Sequence, residues 1–338
     1  MKNNIMKKLF TLALAGVMIL SLAACGAKDP QPDSGTDGST PRSFRVAIIK
    51  QLDHASLDEI ANAVTAELDK IAADNGVTIE YEVTSGQGDQ TILKQLSDQA
   101  IADGVNAIVP IATTAAQIAA LSAEETKTPV VYAAISDPET AKLTGINYVT
   151  GTSDALNTEF IMDMMFAQNP NVAKVGLLYS LNEPNSTKPI ADAKAYLDAK
   201  GIAYVEKTGN TNDEIMTAAN SLVGQVDAVF TPTDNVVMAA AAAVSETLTK
   251  AGIPFYTGAD SFVTAGAFAT CGVNYTELGT YTADMALDVL ETGTVPEYHV
   301  MDGGIITVNT ETAAALNLDY SAFHDLAGTV VEVETAAE

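Results

Sequence analysis

From residue 44 onward one pattern occupies the chain: short β-branched apolar runs alternate with longer amphipathic stretches, and the series is played twice. FRVAIIK (44–50), VTIEYEV (77–83), NAIVPI (106–111) and TPVVYAAI (128–135) read as strands, separated by helical patterns over 56–76, 90–104 and 114–126. Strands that alternate with helices build a parallel sheet, because each helix carries the chain back to the start of the next strand. Runs apolar throughout, not alternating, are expected where helices cover both sheet faces. AKVGLLY (173–179), IAYVEKT (202–208), DAVFTP (227–232) and IPFYTG (253–258) repeat the series, with helical stretches beginning near Pro184, Asn212 and Asn235. The halves share a register: VNAIVPIATT (105–114) lies over VDAVFTPTDN (226–235), and TPVVY (128–132) over IPFYT (253–257). The expected fold is therefore α/β, with two similar doubly wound parallel-sheet lobes.

The connections describe how the lobes are joined. LTGINYVTGTSD (143–154) leads from the first half to the second, CGVNYTELG (271–279) leads out into a further helix over 276–293, and GGIITVNT (303–310) adds one more strand. Three crossings follow, near 147–151, 273–276 and 300–304, which makes a hinge. The expected N-terminal lobe is 44–148 plus 275–302, and the C-terminal lobe 149–274 plus 303–325; the tail 326–338 is weakly patterned and expected to fray.

The first 43 residues are of another kind. Lys2, Lys7 and Lys8 precede the apolar run LFTLALAGVMILSLAA and then Cys25, the layout of an export signal over 1–24. LAAC (22–25) resembles the lipobox of bacterial lipoproteins, which implies cleavage before Cys25 and a diacylglycerol on its thiol. Residues 26–43 are rich in Gly, Pro, Ser and Asp and read as a flexible tether. The expected location is the outer face of the cell membrane, held by lipid at Cys25. Cys271, the other cysteine, lies in an apolar run and is expected as a buried free thiol. A net charge of −26 repels nucleic acid phosphates, so nucleic acid is not an expected partner.

In open parallel sheets ligands bind beyond the strand C-termini, where loops lead into helix N-termini with free N–H groups. FTPTDNVVMAA (230–240) is such a corner. Asp234 or Asn235 serves there either as a helix N-cap or as a ligand group. The matching corner of the first half, Ala112-Thr113-Thr114, has hydroxyls and no charge. A helix N-terminus suits a carboxylate, and a carboxylate such as Asp234 suits an ammonium. A zwitterion, an amino acid, satisfies both at once. Other strand-end loops are 51–56, 85–91, 134–138, 180–187, 208–213 and 258–261. Asp154, at a crossing, and Asp260 either cap a helix or face the cleft.

Taken in order, the lipobox, VAIIKQLDHASLDEI, TSGQGDQT, PIATTAAQ, TGTSD, NEPNS and TPTDN resemble the ABC-transporter substrate-binding proteins of the tryptophan/tyrosine-binding type, over essentially residues 44–320. The resemblance implies a type I periplasmic-binding-protein fold of the three-crossover kind. It implies an aromatic amino acid in the interlobe cleft, delivered to a membrane permease with its ATPase. Gln51, Thr113, Thr114, Asn185, Ser186, Asp234 and Asn235 occupy motif positions that line the cleft by this likeness. An aromatic ligand wants an apolar floor; the chain has no Trp, and Leu52, Phe262 and Tyr179 are candidates.

Rival classes leave weaker traces. The three histidines, His54, His299 and His324, are far apart, and His54, in a strand-end loop, reads as an ordinary polar contact. No nucleophile-elbow, P-loop, zinc-protease or CxxC pattern occurs, so no enzyme, cofactor or metal site is expected. A sugar or nucleoside receptor on the same fold, or a ligand-sensing input to a partner protein, is the alternative to transport. A monomer is the default for this architecture.

Overall fold

The computed structural model describes residues 42–336 apart from 328. The expected signal peptide, Cys25 and the tether up to residue 41 lie outside the described residues, while Ser43, expected in the tether, already belongs to the first strand, paired with Thr78.

The chain begins with β1 (Ser43–Lys50), α1 (Ala55–Asn75), β2 (Thr78–Ser85), α2 (Gln90–Ala102), β3 (Ala107–Ile111), α3 (Thr113–Ser122), β4 (Val130–Tyr132) and β5 (Val149–Ser153). It crosses into α4 (Thr158–Gln168), β6 (Lys174–Tyr179), α5 (Pro184–Lys200), β7 (Ala203–Thr208), α6 (Asn212–Leu222) and β8 (Ala228–Thr231). Next come α7 (Asn235–Ala239), α8 (Ala241–Lys250), β9 (Phe255–Thr257), α9 (Asp260–Thr264) and β10 (Ala269–Gly272). It returns to the first lobe as α10 (Tyr275–Thr292) and β11 (His299–Val300), then crosses a third time into β12 (Ile305–Asn309), α11 (Thr310–Leu316), α12 (Phe323–Leu326) and β13 (Val330–Val333).

Two sheets result, ordered β11-β5-β4-β3-β1-β2 and β13-β12-β10-β9-β8-β6-β7. The first five strands of each lobe are laid down in the same spatial order, so the duplication legible in the residues is also one of topology. The strand pairs are parallel except β10 with β12. That exception has a simple cause. The third crossing enters the second lobe at the strand C-termini, so β12 can only run back the other way. Each lobe has its switch point where neighbouring strands send their loops to opposite faces, between β1 and β3 and between β6 and β8.

β3, β4, β8 and β9 are buried along their whole length, as double-sided cover requires. α1 buries Leu57, Ile60, Ala61, Val64, Leu68 and Ile71, a stripe at helical spacing. It lies close to α10: a Cβ on Gly279 would sit 2.6 Å from the Ala63 Cβ and 2.7 Å from the Ile60 carbonyl oxygen. Only glycine lets those helices approach so far. Cys271 is a buried free thiol, its pKa pushed up to about 11 by burial.

Three expectations are corrected. VTGTS (149–153) is a strand of the first sheet, paired with β4, so the chain leaves that lobe over 154–157 and not at 148. The tail does not simply fray: β13 pairs with β12 as an edge strand. The helix from Asn235 breaks at Ala240 into α7 and α8. The other crossings run over 273–274 and 301–304. No helix among the described residues is long and apolar enough to cross a membrane.

Candidate functional site

The strand-end loops of both lobes meet. His54, at the end of the β1 loop, and Asn235, at the start of α7, pair across the cleft, Nε2 to Oδ1 at 3.0 Å. Gln51 Nε2 donates to Glu183 Oε1 at 2.7 Å. The Thr233 and Ser136 hydroxyls are 3.1 Å apart, and Ser56 bonds Ser261. Leu57 and Ile60 of α1 share one apolar cluster with Met238, Phe262 and Tyr275. The lobes are therefore closed on one another, around a cavity of about 20 Å³.

The corner of the first lobe is unfinished. Ala112, at the N-cap position of α3, has φ 77° and ψ 162°, and its own side chain cannot cap the helix. That backbone region is essentially reserved for glycine, and an alanine held there is strained. Ala134, in the adjacent β4 loop, also has a positive φ of 59°. Both line the cavity. Thr114 N–H donates to Gln51 Oε1 at 3.1 Å, while the buried Thr113 hydroxyl has no partner among the described residues and lines the same cavity.

The corner of the second lobe is finished. Asp234 is 0% exposed and its carboxylate accepts from Val236 and Val237 N–H at 3.1 and 3.0 Å, Ser180 N–H at 2.7 Å and the Ser186 hydroxyl at 2.7 Å. Four donors use the lone-pair sites a carboxylate offers. The choice left open for Asp234 resolves to the N-cap of α7, and the ammonium partner has to be sought elsewhere.

Two other buried carboxylates have capacity to spare. Asp154, in the first crossing, accepts from the Ser136 hydroxyl at 3.0 Å and the Tyr275 hydroxyl at 3.1 Å. Burial pushes its carboxyl up, and those two hydroxyls pull it back only in part. Glu183 takes the Gln51 amide on Oε1 and the Asn235 amide on Oε2, the latter at 2.6 Å. Burial and the nearby Asp234 charge push it up to about 8. Asp234, with four donors against two, is the member of that pair that stays ionised. His54 is shifted the other way: burial holds its imidazole below the usual range, hence neutral.

Of the residues singled out from sequence, Thr113, Asp154, Asn185, Asp234 and Asn235 line the cavity. Gln51 bridges the lobes from behind it, Thr114 contributes its backbone N–H to Gln51, and Ser186 braces Asp234. Asp260 begins α9 outside the cavity lining, its carboxyl pushed up to about 6 by burial and the Glu59 charge. Phe262 is in the apolar wall; Leu52 and Tyr179 are not, the latter bonding Glu206. Glu183, Ser136, Tyr275 and Met238 were not singled out. Glu183 carried a usable signal: it occupies the N-cap position of α5 ahead of Pro184, where glutamate is a poor cap, and its side chain indeed caps nothing. His54 stands in the same relation to α1.

A chain of two α/β lobes, crossed three times and closed on a cavity at their strand C-termini, is a periplasmic binding protein of the type I fold. Residues 45–323 match the family model described as ABC transporter substrate binding protein, and the chain belongs to that family. A relative named tyrosine-binding protein, from Clostridioides difficile (strain R20291), is 28% identical over 323 residues, 92% of this chain and 93% of that one. The ABC domain in complex with L-Trp from Streptococcus pneumonia is 28% identical and covers 86% of this chain and 100% of its own, with a TM-score of 0.78. The ligand-free, open structure of a substrate binding protein with adhesive properties from Clostridium difficile is 27% identical and covers 87% of this chain and 100% of its own, with a TM-score of 0.65. At nearly equal identity, the closed lobes here agree better with the relative that holds a ligand.

Proposed function

We propose that this chain is the extracytoplasmic solute-binding component of an ABC importer, anchored through Cys25 and working as a monomer, and that it carries an aromatic amino acid to a permease with its ATPase. One observation carries the ligand class. The N-terminus of α3, where Gln51 Oε1 takes Thr114 N–H and the Thr113 hydroxyl has no partner among the described residues, borders the same cavity as the Asp154 carboxylate. The first suits a carboxylate and the second an ammonium. Leu57, Ile60, Met238 and Phe262 form an apolar wall for a ring. The names of two relatives, one tyrosine-binding and one complexed with L-Trp, support the aromatic side chain.

A cavity of about 20 Å³ is far below the roughly 300 Å³ of a small-molecule pocket. Loading therefore needs the lobes to part about their crossings, and the ligand acts by favouring the closed arrangement that the permease recognises. Calorimetry on residues 26–338, stripped of bound ligand, tests this with tryptophan, tyrosine, phenylalanine, leucine and a panel of sugars and nucleosides. The expected result is micromolar or tighter binding of an aromatic amino acid, weakened about thirtyfold or more by Asp154→Asn. Heat from a sugar or nucleoside, with amino acids silent, would keep a solute-binding role and discard the zwitterion.

A further inference from the structure

A chain of polar side chains behind the cavity ends on an atom with nothing to bond. The backbone N–H of Thr114 donates to Gln51 Oε1 at 3.1 Å, which orients that amide so that its Nε2 donates to Glu183 Oε1 at 2.7 Å. The other oxygen of Glu183 accepts from Asn235 Nδ2 at 2.6 Å, which turns Asn235 Oδ1 toward His54 Nε2 at 3.0 Å. With Glu183 ionised both its oxygens accept, and an amide oxygen offers only lone pairs, so the imidazole proton sits on Nε2 and Nδ1 is a bare acceptor. That Nδ1 is buried and without a partner among the described residues, and His54 lines the cavity. A buried acceptor left in this way needs an explanation. Leu57 follows His54 by one helical turn and Met238 follows Asn235 by one turn, and both belong to the apolar wall. The bare nitrogen is therefore a polar point set into the ring-binding surface.

We infer that, when the Glu183 carboxyl is ionised, His54 reads the ligand's side chain: Nδ1 accepts a hydrogen bond from a donor on the rim of an aromatic ring, a phenol hydroxyl or an indole N–H, so that the cavity selects tyrosine or tryptophan over phenylalanine. This rests on the amino acid reading above. Glu183 is the positioning residue. Glu183→Gln keeps both hydrogen bonds but reverses the second: the new amide accepts from Gln51 and donates to Asn235. Asn235 then turns its Nδ2 to His54 Nε2, and the imidazole proton moves to Nδ1. The acceptor becomes a donor without any change at the ligand.

The test measures binding of tyrosine, O-methyltyrosine, phenylalanine, tryptophan and 1-methyltryptophan by calorimetry at a pH above Glu183's value of about 8, on the full chain and on Glu183→Gln. The donor-bearing ligand is expected to bind about tenfold or more tightly than its donor-less analogue in the native chain, and within about threefold of it in the variant. Nitrogen-15 spectra of the three histidines give a readout independent of affinity. At a pH above Glu183's value of about 8, His54 should be the Nε2–H tautomer in the native chain and the Nδ1–H tautomer in the variant. The other charges facing this pair, Asp234 beside Glu183 and Lys50, Asp53 and Asp58 around His54, are the same in both proteins. Should Glu183→Gln not fold, His54→Phe serves instead and should bind phenylalanine as well as tyrosine. Equal binding of tyrosine and phenylalanine by the native chain, or an Nδ1–H tautomer there, overturns the inference alone. Silence for every amino acid overturns the inference and the ligand class together.

Discussion

At Ala112–Thr114 and at Thr233–Asn235 the two lobes place the same strand-to-helix corner in the same register, and finish it in opposite ways. The second-lobe corner spends its acid on the fold: Asp234 gathers four donors from three segments and is sealed from solvent. The first-lobe corner has no acid, holds an alanine in a glycine region of backbone space, and leaves a helix start and a hydroxyl open toward the cavity. A charged side chain at a strand end is thus a poor guide to where a ligand goes. A saturated carboxylate is structure, whereas a helix start only partly capped keeps binding capacity.

The largest effect expected from this contrast is at the finished corner. Asp234→Ala strands four donors, three backbone N–H groups and one hydroxyl, in the second lobe, and should cost about 3 kcal/mol or more of stability in urea unfolding. A native midpoint with reduced amino acid affinity would return Asp234 to the role of ligand group. Next is the proton on the neighbouring acid. Glu183 ordinarily titrates near 4.5 and is pushed up to about 8 by burial, so the closed protein holds a proton that an opened or unfolded chain has lost. The stability of the unliganded protein should then fall as pH rises between those values, by up to about 1.4 kcal/mol per pH unit, and level off above them. Glu183→Gln should flatten that slope; an unchanged slope would assign it to Asp154 or Asp260 instead. The smallest effects belong to the open corner. Thr113→Val should reduce amino acid affinity about fivefold while moving stability by less than about 0.5 kcal/mol. Ala112→Gly should raise the stability of the unliganded protein by about 1 kcal/mol by releasing the strained backbone. A Thr113→Val protein that binds normally would remove α3 from the site.

Much of this architecture was legible because apolar runs buried on both faces announce themselves. NAIVPI and DAVFTP appear as β3 and β8 within a residue or two of the expected ends. β5 was missed because VTGTS has one aliphatic residue. Its hydroxyls are buried, Thr152 against Thr282, and Gly151 passes so close to Tyr132 that a Cβ would lie 2.0 Å from the Tyr132 carbonyl oxygen. Composition does not mark a strand whose core contacts are made by threonine and glycine. β13 was missed because two glutamates stand beside its valines, acceptable only on an edge. At the site, positions were easier to find than roles. The strand-end loops were the right places, but that Glu183 joins Gln51 to Asn235 depends on pairing residues 132 and 52 positions apart, which no local pattern encodes.

The three crossings bear on more than topology. Asp154 begins the first and Tyr275 directly follows the second, and the hydrogen bond between them, at 3.1 Å, ties two of the three strands of the hinge together. A body joined to another at three points can turn about little but a single axis. An ammonium ion seated on Asp154 would therefore sit almost on that axle, where it acts as a brake on rotation more than as a clasp at the rim.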